Sequence, residues 1–228
     1  MISVAMAAYK GEKYISEQVA SILNQLGEGD ELIISDDCPY TQTYEFLREL
    51  IEGDGRIVYT AGPGKGVIKN FEHAISLARG EYIFLSDQDD VWCGNKVERV
   101  MNAFSDGAML VLHNAAITDG MLHPVGVSSF EINHTEVGTV KNIIKNSYQG
   151  CCMAFCSELK KFILPFPEKL PMHDQWIGLT AEKHGKVTLI DEPLILYRRH
   201  GENVSGNGSG FLTKLNWRVQ IISALLRR

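Results

Sequence analysis

Three carboxylates, Asp87, Asp89 and Asp90, crowd the end of the apolar run Tyr82-Ile83-Phe84-Leu85. Folding alone would not gather like charges there, so a cation or strong hydrogen-bond donors must offset them. In Ser86-Asp87-Gln88-Asp89-Asp90-Val91-Trp92 the alternate Asp87 and Asp89 side chains point the same way from an extended segment, which leaves Asp90 to bind elsewhere. Oxygen donors in such a cluster suit Mg²⁺ or Mn²⁺ bridging to phosphates. The plainer alternative is a solvated loop whose acids make Asx turns or cap a helix. An isolated Asp-x-Asp is common by chance. Its place at the mouth of an apolar strand is what favours a metal and nucleotide-diphosphate site.

Further candidates follow other strand ends. Asp36-Asp37 closes the run Glu31-Leu32-Ile33-Ile34-Ser35, where a carboxylate can accept the N3–H of uracil or thymine and would repel cytosine. The same acids could simply start a turn. Asp174 precedes a helical stretch, so it is either a cap or a general base for an attacking hydroxyl, with His173 to position or tune it. Arg198 and Arg199 have the guanidinium chemistry for a diphosphate, and the imidazole of His200 could ligate metal or face solvent. Lys65 lies in, and Lys69 just after, Gly62-Pro63-Gly64-Lys65-Gly66, which lacks the Walker spacing and reads as a loop with solvated lysines. His113, His123, His134, Cys152 and Cys156 form no zinc pattern.

The elements that must position these residues alternate. Ile2 to Ala7, Glu31 to Ser35, Ile57 to Tyr59 and Glu81 to Leu85 read as strands, each of the first three followed by helical apolar spacing. This predicts a parallel sheet with right-handed crossovers. A helix from about 95 to 103 and a strand over 109–112 continue the rhythm. Residues 115–138 lose periodicity and suggest irregular loops or short antiparallel strands. A short helix over 139–146, a strand over 150–156, a proline-punctuated loop, a helix over 175–184 and two strands, 187–190 and 194–197, complete the body. Gly201 to Gly210 reads as a flexible loop. Beyond it Leu215, Val219, Ile222 and Leu226 share a helical face while Lys214, Arg218, Arg227 and Arg228 add charge, so this helix packs on the domain or lies on an anionic membrane. It stops abruptly, as it would if further sequence followed.

With 228 residues, 45% hydrophobic and 22% charged, the chain has the makings of one sizeable core. A net charge of −6 argues against a nucleic-acid binder. The five cysteines are odd in number and unpatterned, as in a reducing compartment, and no signal peptide or spanning run is evident. A cytoplasmic location is expected, and the membrane reading of the last helix would add peripheral contact at the inner face of the membrane.

Taken together, Val4 to Ile15, Ser35-Asp36-Asp37-Cys38-Pro39, Gly80 to Trp92 and His173-Asp174 resemble, in the same order, the signatures of the inverting family 2 glycosyltransferases with a GT-A fold. The resemblance implies an α/β, Rossmann-like mixed sheet with helices on both faces, a catalytic domain over 1–210 and a C-terminal basic amphipathic helix over 211–228. It implies that Asp37 contacts the pyrimidine, that Asp87 and Asp89 hold the divalent ion and sugar nucleotide, and that Asp174 is the catalytic base. Asp90 takes an accessory place near sugar or metal. Ala7, where many relatives carry a hydroxyl, offers only its backbone, and Tyr9, Asp36, Lys69, Gln88, Arg198 and Arg199 complete the donor set. The ending Tyr197 to Gly206 is similar to rhamnosyltransferase-type members, in which His200 would complete the metal site. The Gln-x-x-Arg-Trp motif and spanning helices of processive polymer synthases are missing.

The expectation is therefore a Mn²⁺- or Mg²⁺-dependent enzyme moving one sugar, with rhamnose as the suggested one, from a UDP- or dTDP-sugar to a glycan or lipid-linked acceptor hydroxyl in bacterial surface polysaccharide synthesis. Two other readings compete with it: a sugar-1-phosphate nucleotidyltransferase, and a glycan-binding or assembly module without turnover.

Overall fold

A computed structural model describes residues 1–39, 42–200 and 210–227. The glycine-rich stretch expected to be a loop lies, but for Gly210, outside the described residues. In chain order the elements are β1 (Ile2–Ala8), α1 (Ile15–Leu23), β2 (Glu31–Asp36), α2 (Gln42–Gly53), β3 (Ile57–Ala61), α3 (Val67–Leu77), β4 (Tyr82–Ser86), β5 (Val91–Trp92) and α4 (Lys96–Ser105). There follow β6 (Leu110–Thr118), β7 (Pro124–Ser128), α5 (Ser129–Asn133), α6 (Thr139–Ile144), β8 (Met153–Cys156), α7 (Lys160–Ile163), α8 (His173–His184), β9 (Val187–Arg198) and α9 (Phe211–Leu226).

Helices cover both faces of a single mixed sheet with the order β3-β2-β1-β4-β8-β6-β9-β5, and β7 pairs with β6. Val4, Ala5, Met6, Leu32, Ile33, Ile34, Ile83, Phe84 and Leu85 are buried on successive positions, which is why β1, β2 and β4 read as unbroken apolar runs rather than alternating ones. The pairs β3–β2, β2–β1 and β1–β4 are parallel. β8 is antiparallel to both β4 and β6, and β6 is parallel to β9. Two reversals cancel, so β9 runs in the same sense as β4. The carboxyl ends of β1, β2, β4 and β9 consequently open on one edge, and that edge receives Tyr9, Asp36-Asp37, Asp87 to Asp90 and Arg198 to His200.

Local departures from the sequence reading have physical causes. The strand expected over 150–156 begins with a 3₁₀ turn, Gly150–Cys152, and only Met153–Cys156 pairs. The aperiodic stretch after 115 continues β6 to Thr118 and folds back as the hairpin strand β7. A capping box, Ser128 with Glu131, then starts α5. The two strands expected after 187 are one, β9, whose register against β6 shifts between His113 and Asn114.

Gly178 sits inside α8 because the Tyr148 ring lies against it: an added Cβ would stand 2.5 Å from the ring. Tyr148 in turn donates to Glu182 through its hydroxyl. Gly178→Ala should therefore destabilise the fold by about 1–3 kcal/mol despite alanine's better helix propensity. Urea unfolding checks this, and equal or greater stability would show that Tyr148 moves aside without cost.

Among the described residues no helix is long and apolar enough to cross a membrane. α9 packs on the domain through Ile221 and Ala224, not through the face read from the sequence. Leu215, Val219, Ile222 and Leu226 are exposed.

Candidate active site

The acidic loop after β4 is braced from several sides. Gln88 is committed to the backbone of Tyr9, accepting from its N–H at 2.8 Å and donating to its carbonyl at 2.9 Å. That clamp fixes the loop against the end of β1. The ring of Tyr9 remains exposed. From α1, Gln18 donates to Ser86 and Ser21 accepts from the N–H of Trp92.

Arg198 closes the loop from β9. Its backbone N–H donates to Asp90 Oδ1 at 3.1 Å, and its side chain donates to the carbonyls of Asp89 (2.9 Å) and Gly120 (2.8 Å) and to Glu17 Oε2 (2.5 Å). The guanidinium also lies 4.4 Å from the centre of the Tyr14 ring. The residue is 3% exposed. The sequence reading offered this arginine to a diphosphate; the structure gives it a scaffold's contacts. Arg199, next along, is exposed.

His200 meets Asp89, Nε2 to Oδ2 at 2.8 Å, with its ring beside Tyr14. Two of the three residues read as metal ligands are thus in contact across 111 positions of sequence. Burial, then the neighbouring carboxylates of Asp89 and Asp174, pushes Asp87 up to about 7. Asp90 is likewise held well above the ordinary carboxylate range, by burial and by Asp89 and Asp87. Its Oδ2 is buried without a hydrogen-bond partner. Ligand atoms of Asp87, Asp90 and Cys151 lie within 4.8 Å of one another. Crowded buried carboxylates with an orphaned oxygen fit a hard divalent cation, whereas the Cys151 thiol, held neutral by its contact with Cys152 and by burial, is a poor ligand for one.

Beneath the loop lies Lys96, which the sequence reading passed over. It is fully buried, donates to the Cys151 carbonyl at 3.1 Å and sits 4.0 Å above the centre of the Trp92 ring. Burial brings it down to about 8. A lysine opening an amphipathic helix ordinarily reads as solvated, so only the fold exposes its place beside Asp87 and Asp90.

Asp174 stands at the start of α8. Burial pushes it up to about 7, and its charge bears on Asp87. Its Oδ1 accepts from Asn146 Nδ2 at 3.0 Å and from the N–H of Gln175 at 2.5 Å. His173 does not hold it. That ring stacks on Phe71 at 4.2 Å, both its nitrogens lack partners, and burial lowers it to about 3, so it stays neutral. Asn146 therefore fills the positioning part that adjacency had suggested for His173.

At the β2 end the two acids divide. Asp36 is buried and accepts from Tyr59 Oη (2.6 Å) and the N–H of Cys38 (2.9 Å). Asp37 accepts from the N–H groups of Gly64 (2.9 Å) and Gly66 (2.8 Å), drawing the glycine loop over the strand ends. Ala7 lies in β1, two residues before Tyr9, and is half-buried. Lys69 is paired with Glu72 at 2.5 Å on α3.

Residues 3–162 match the family described as Glycosyl transferase family 2. Over 219 residues, 91% of this chain and 80% of the relative, there is 26% identity to the UDP-Glc:alpha-D-GlcNAc-diphosphoundecaprenol beta-1,3-glucosyltransferase WfgD of Escherichia coli. The same identity, 26%, extends over 92% of this chain and 76% of the dTDP-rhamnosyl transferase RfbG of Shigella flexneri. The crystal structure of S. aureus TarS 1-349 in complex with UDP-GlcNAc superimposes with a TM-score of 0.76 at 22% identity, covering 99% of this chain and 66% of that one. The chain therefore spans slightly less than two thirds of this structural neighbour, and the likeness establishes the GT-A fold.

Proposed function

Because this chain belongs to glycosyl transferase family 2, we propose that it is an inverting glycosyltransferase moving a single sugar from a uridine or thymidine diphosphate donor to a lipid-linked glycan hydroxyl. The observation that carries this reading is Asp174 at the start of α8, one carboxylate oxygen held by Asn146 and the N–H of Gln175, its carboxyl raised by burial to about 7 and its charge felt by Asp87 of the acidic loop. A base poised near operating pH, next to a site for a charged donor, is what hydroxyl activation requires.

The steps fall to this chain's residues. With Oδ1 occupied by Asn146 and the Gln175 N–H, Asp174 takes the acceptor proton on Oδ2. The acceptor oxygen forms its bond to the anomeric carbon as the bond to the diphosphate oxygen breaks on the opposite face, and the diphosphate leaves with the electron pair. One displacement inverts the centre. Asp87, Asp89 and His200 would hold Mg²⁺ or Mn²⁺, with Asp90 accessory; such an ion, when bound, offsets diphosphate charge. Arg199, exposed beside them, is assigned to the same diphosphate, and Arg198 to holding the loop. Asp37 keeps lone pairs beyond its two glycine bonds, with which it would accept the pyrimidine N3–H. Exposed Tyr9 and the backbone of Ala7 border the donor, while Asp36, Gln88 and Lys69 act on it only through the contacts described.

The names of WfgD and RfbG support a UDP- or dTDP-sugar and, for the first, an acceptor on a lipid diphosphate. Rhamnose rests on the RfbG likeness and the residues around His200. Membership of the family displaces the nucleotidyltransferase and binding-module readings. Calorimetric titration with uridine, thymidine, guanosine and cytidine diphosphates, each with and without Mn²⁺, tests the donor assignment. Metal-requiring binding confined to the uridine or thymidine compound is expected, and equal weak binding of all four regardless of metal would overturn it.

A further inference from the structure

α9 has two apolar faces, and among the described residues only one is used by the domain. Ile221 and Ala224 are buried, and Arg218 donates to the carbonyl of Ile144 on α6 at 2.9 Å. Leu212, Leu215, Val219, Ile222 and Leu226 recur at three- and four-residue spacing and so form a second stripe along the helix. These five are 78%, 46%, 56%, 40% and 83% exposed. On α6, Val140 and Ile144 are exposed as well, at 71% and 57%. A solvated helix face is ordinarily polar, and an apolar stripe of this length marks a contact surface.

Charge identifies what it contacts. Residues 203–228 contain Lys214, Arg218, Arg227 and Arg228 and no Asp or Glu, a net +4; the chain total of −6 leaves −10 on the first 202 residues. An acidic body whose C-terminal basic segment also carries an exposed apolar stripe is built to meet an anionic, apolar-cored surface. A second copy on the same stripe would instead bring two acidic bodies together.

We propose that the exposed face of α9 docks on an anionic lipid bilayer, its leucine, valine and isoleucine side chains among the acyl chains and its basic residues at the level of the headgroups. The position of this face bears on the reaction. α9 rests on Ile144, and two residues further on Asn146 holds Asp174. Docking would therefore set the base close to the membrane, where a lipid-linked acceptor presents its hydroxyl. This link to the acceptor rests on the role proposed for Asp174, whereas the membrane contact itself does not.

The test is sedimentation of the full chain with vesicles of phosphatidylcholine alone and of phosphatidylcholine with phosphatidylglycerol, without donor or acceptor. Binding to the anionic vesicles only, weakened by salt, is expected. Leu215→Ser, Val219→Ser and Ile222→Ser combined should lower it by ~10-fold or more, with nucleotide affinity unchanged. Circular dichroism and nucleotide titration show that the variant is folded. The proposal is overturned if the wild-type chain stays unbound, if the variant binds equally well, or if the wild type is a dimer that the variant dissolves. A chain that binds vesicles but transfers no sugar supports the docking face and counts only against the transferase reading.

Discussion

Asp174→Asn should lower the turnover of sugar transfer by ~10³-fold, equivalent to about 4 kcal/mol of barrier, while leaving metal-dependent nucleotide affinity unchanged. The change is nearly isosteric: an asparagine carbonyl can still accept from Asn146 and from the N–H of Gln175, so the start of α8 is kept. What disappears is the oxygen proposed to take the proton. The pH dependence separates this from a structural effect. In the wild type kcat/KM should rise with pH as the carboxyl, raised by burial to about 7, ionises, and the residual activity of the variant should lack that limb. Stability moves the other way. A carboxyl whose folded value lies above its ordinary 3.8 keeps a proton that the unfolded chain has lost, so it lowers the stability of the metal-free protein as pH rises from about 4 to about 7. The variant should lose part of that slope and be as stable as the wild type or more so at neutral pH. Near-normal turnover in the variant, with donor affinity intact, would remove Asp174 from the chemistry.

Arg198→Met should cost about 2–4 kcal/mol of folding stability, read as a shift of the urea midpoint at constant slope. The buried guanidinium joins β9 to the carbonyls of Asp89 and Gly120 and to Glu17 on α1, and its loss leaves those carbonyls without their donor. Glu17, 55% exposed in its side chain, can return to water, which keeps the loss below that of a fully buried pair. Because the same contacts fix the Asp89 loop, affinity for a nucleoside diphosphate with Mn²⁺ should fall by ~10–100-fold. Arg198→Lys should not restore it, since a single ammonium cannot reproduce the fork that spans three acceptors. If Arg198 instead gripped the diphosphate directly, the methionine variant would bind poorly yet unfold like the wild type. That result would reject the scaffold role.

Much of the candidate active edge is legible because local chemistry announces it. Carboxylates at the ends of apolar strands are costly unless used, so Asp36-Asp37 and Asp87 to Asp90 stood out against their surroundings. Strand direction then carried them to one edge, as the alternation of β and α segments implied. Lys96 and Asn146 were illegible for the opposite reason: each is an ordinary residue for its local segment, and only packing puts the first under the acidic loop and the second on Asp174. The apolar stripe Leu215, Val219, Ile222 and Leu226 is legible in the sequence, but whether the domain covers it is not, because a helix with two apolar stripes gives no local sign of which one a domain will cover.

By itself the sequence determined the buried strands and their succession along the chain through β4, the acids at their ends and the family those motifs resemble, since all of these depend on neighbours within a few residues. Tertiary structure alone decided that β8 enters antiparallel and returns β9 to the direction of β4, bringing His200 to Asp89 and Arg198 into the loop. It also decided that Asp174 lies within electrostatic reach of Asp87. Those meetings join residues about 90 to 110 positions apart, and no local pattern encodes them: they follow from sheet order and from the burial that makes each charge depend on its partner.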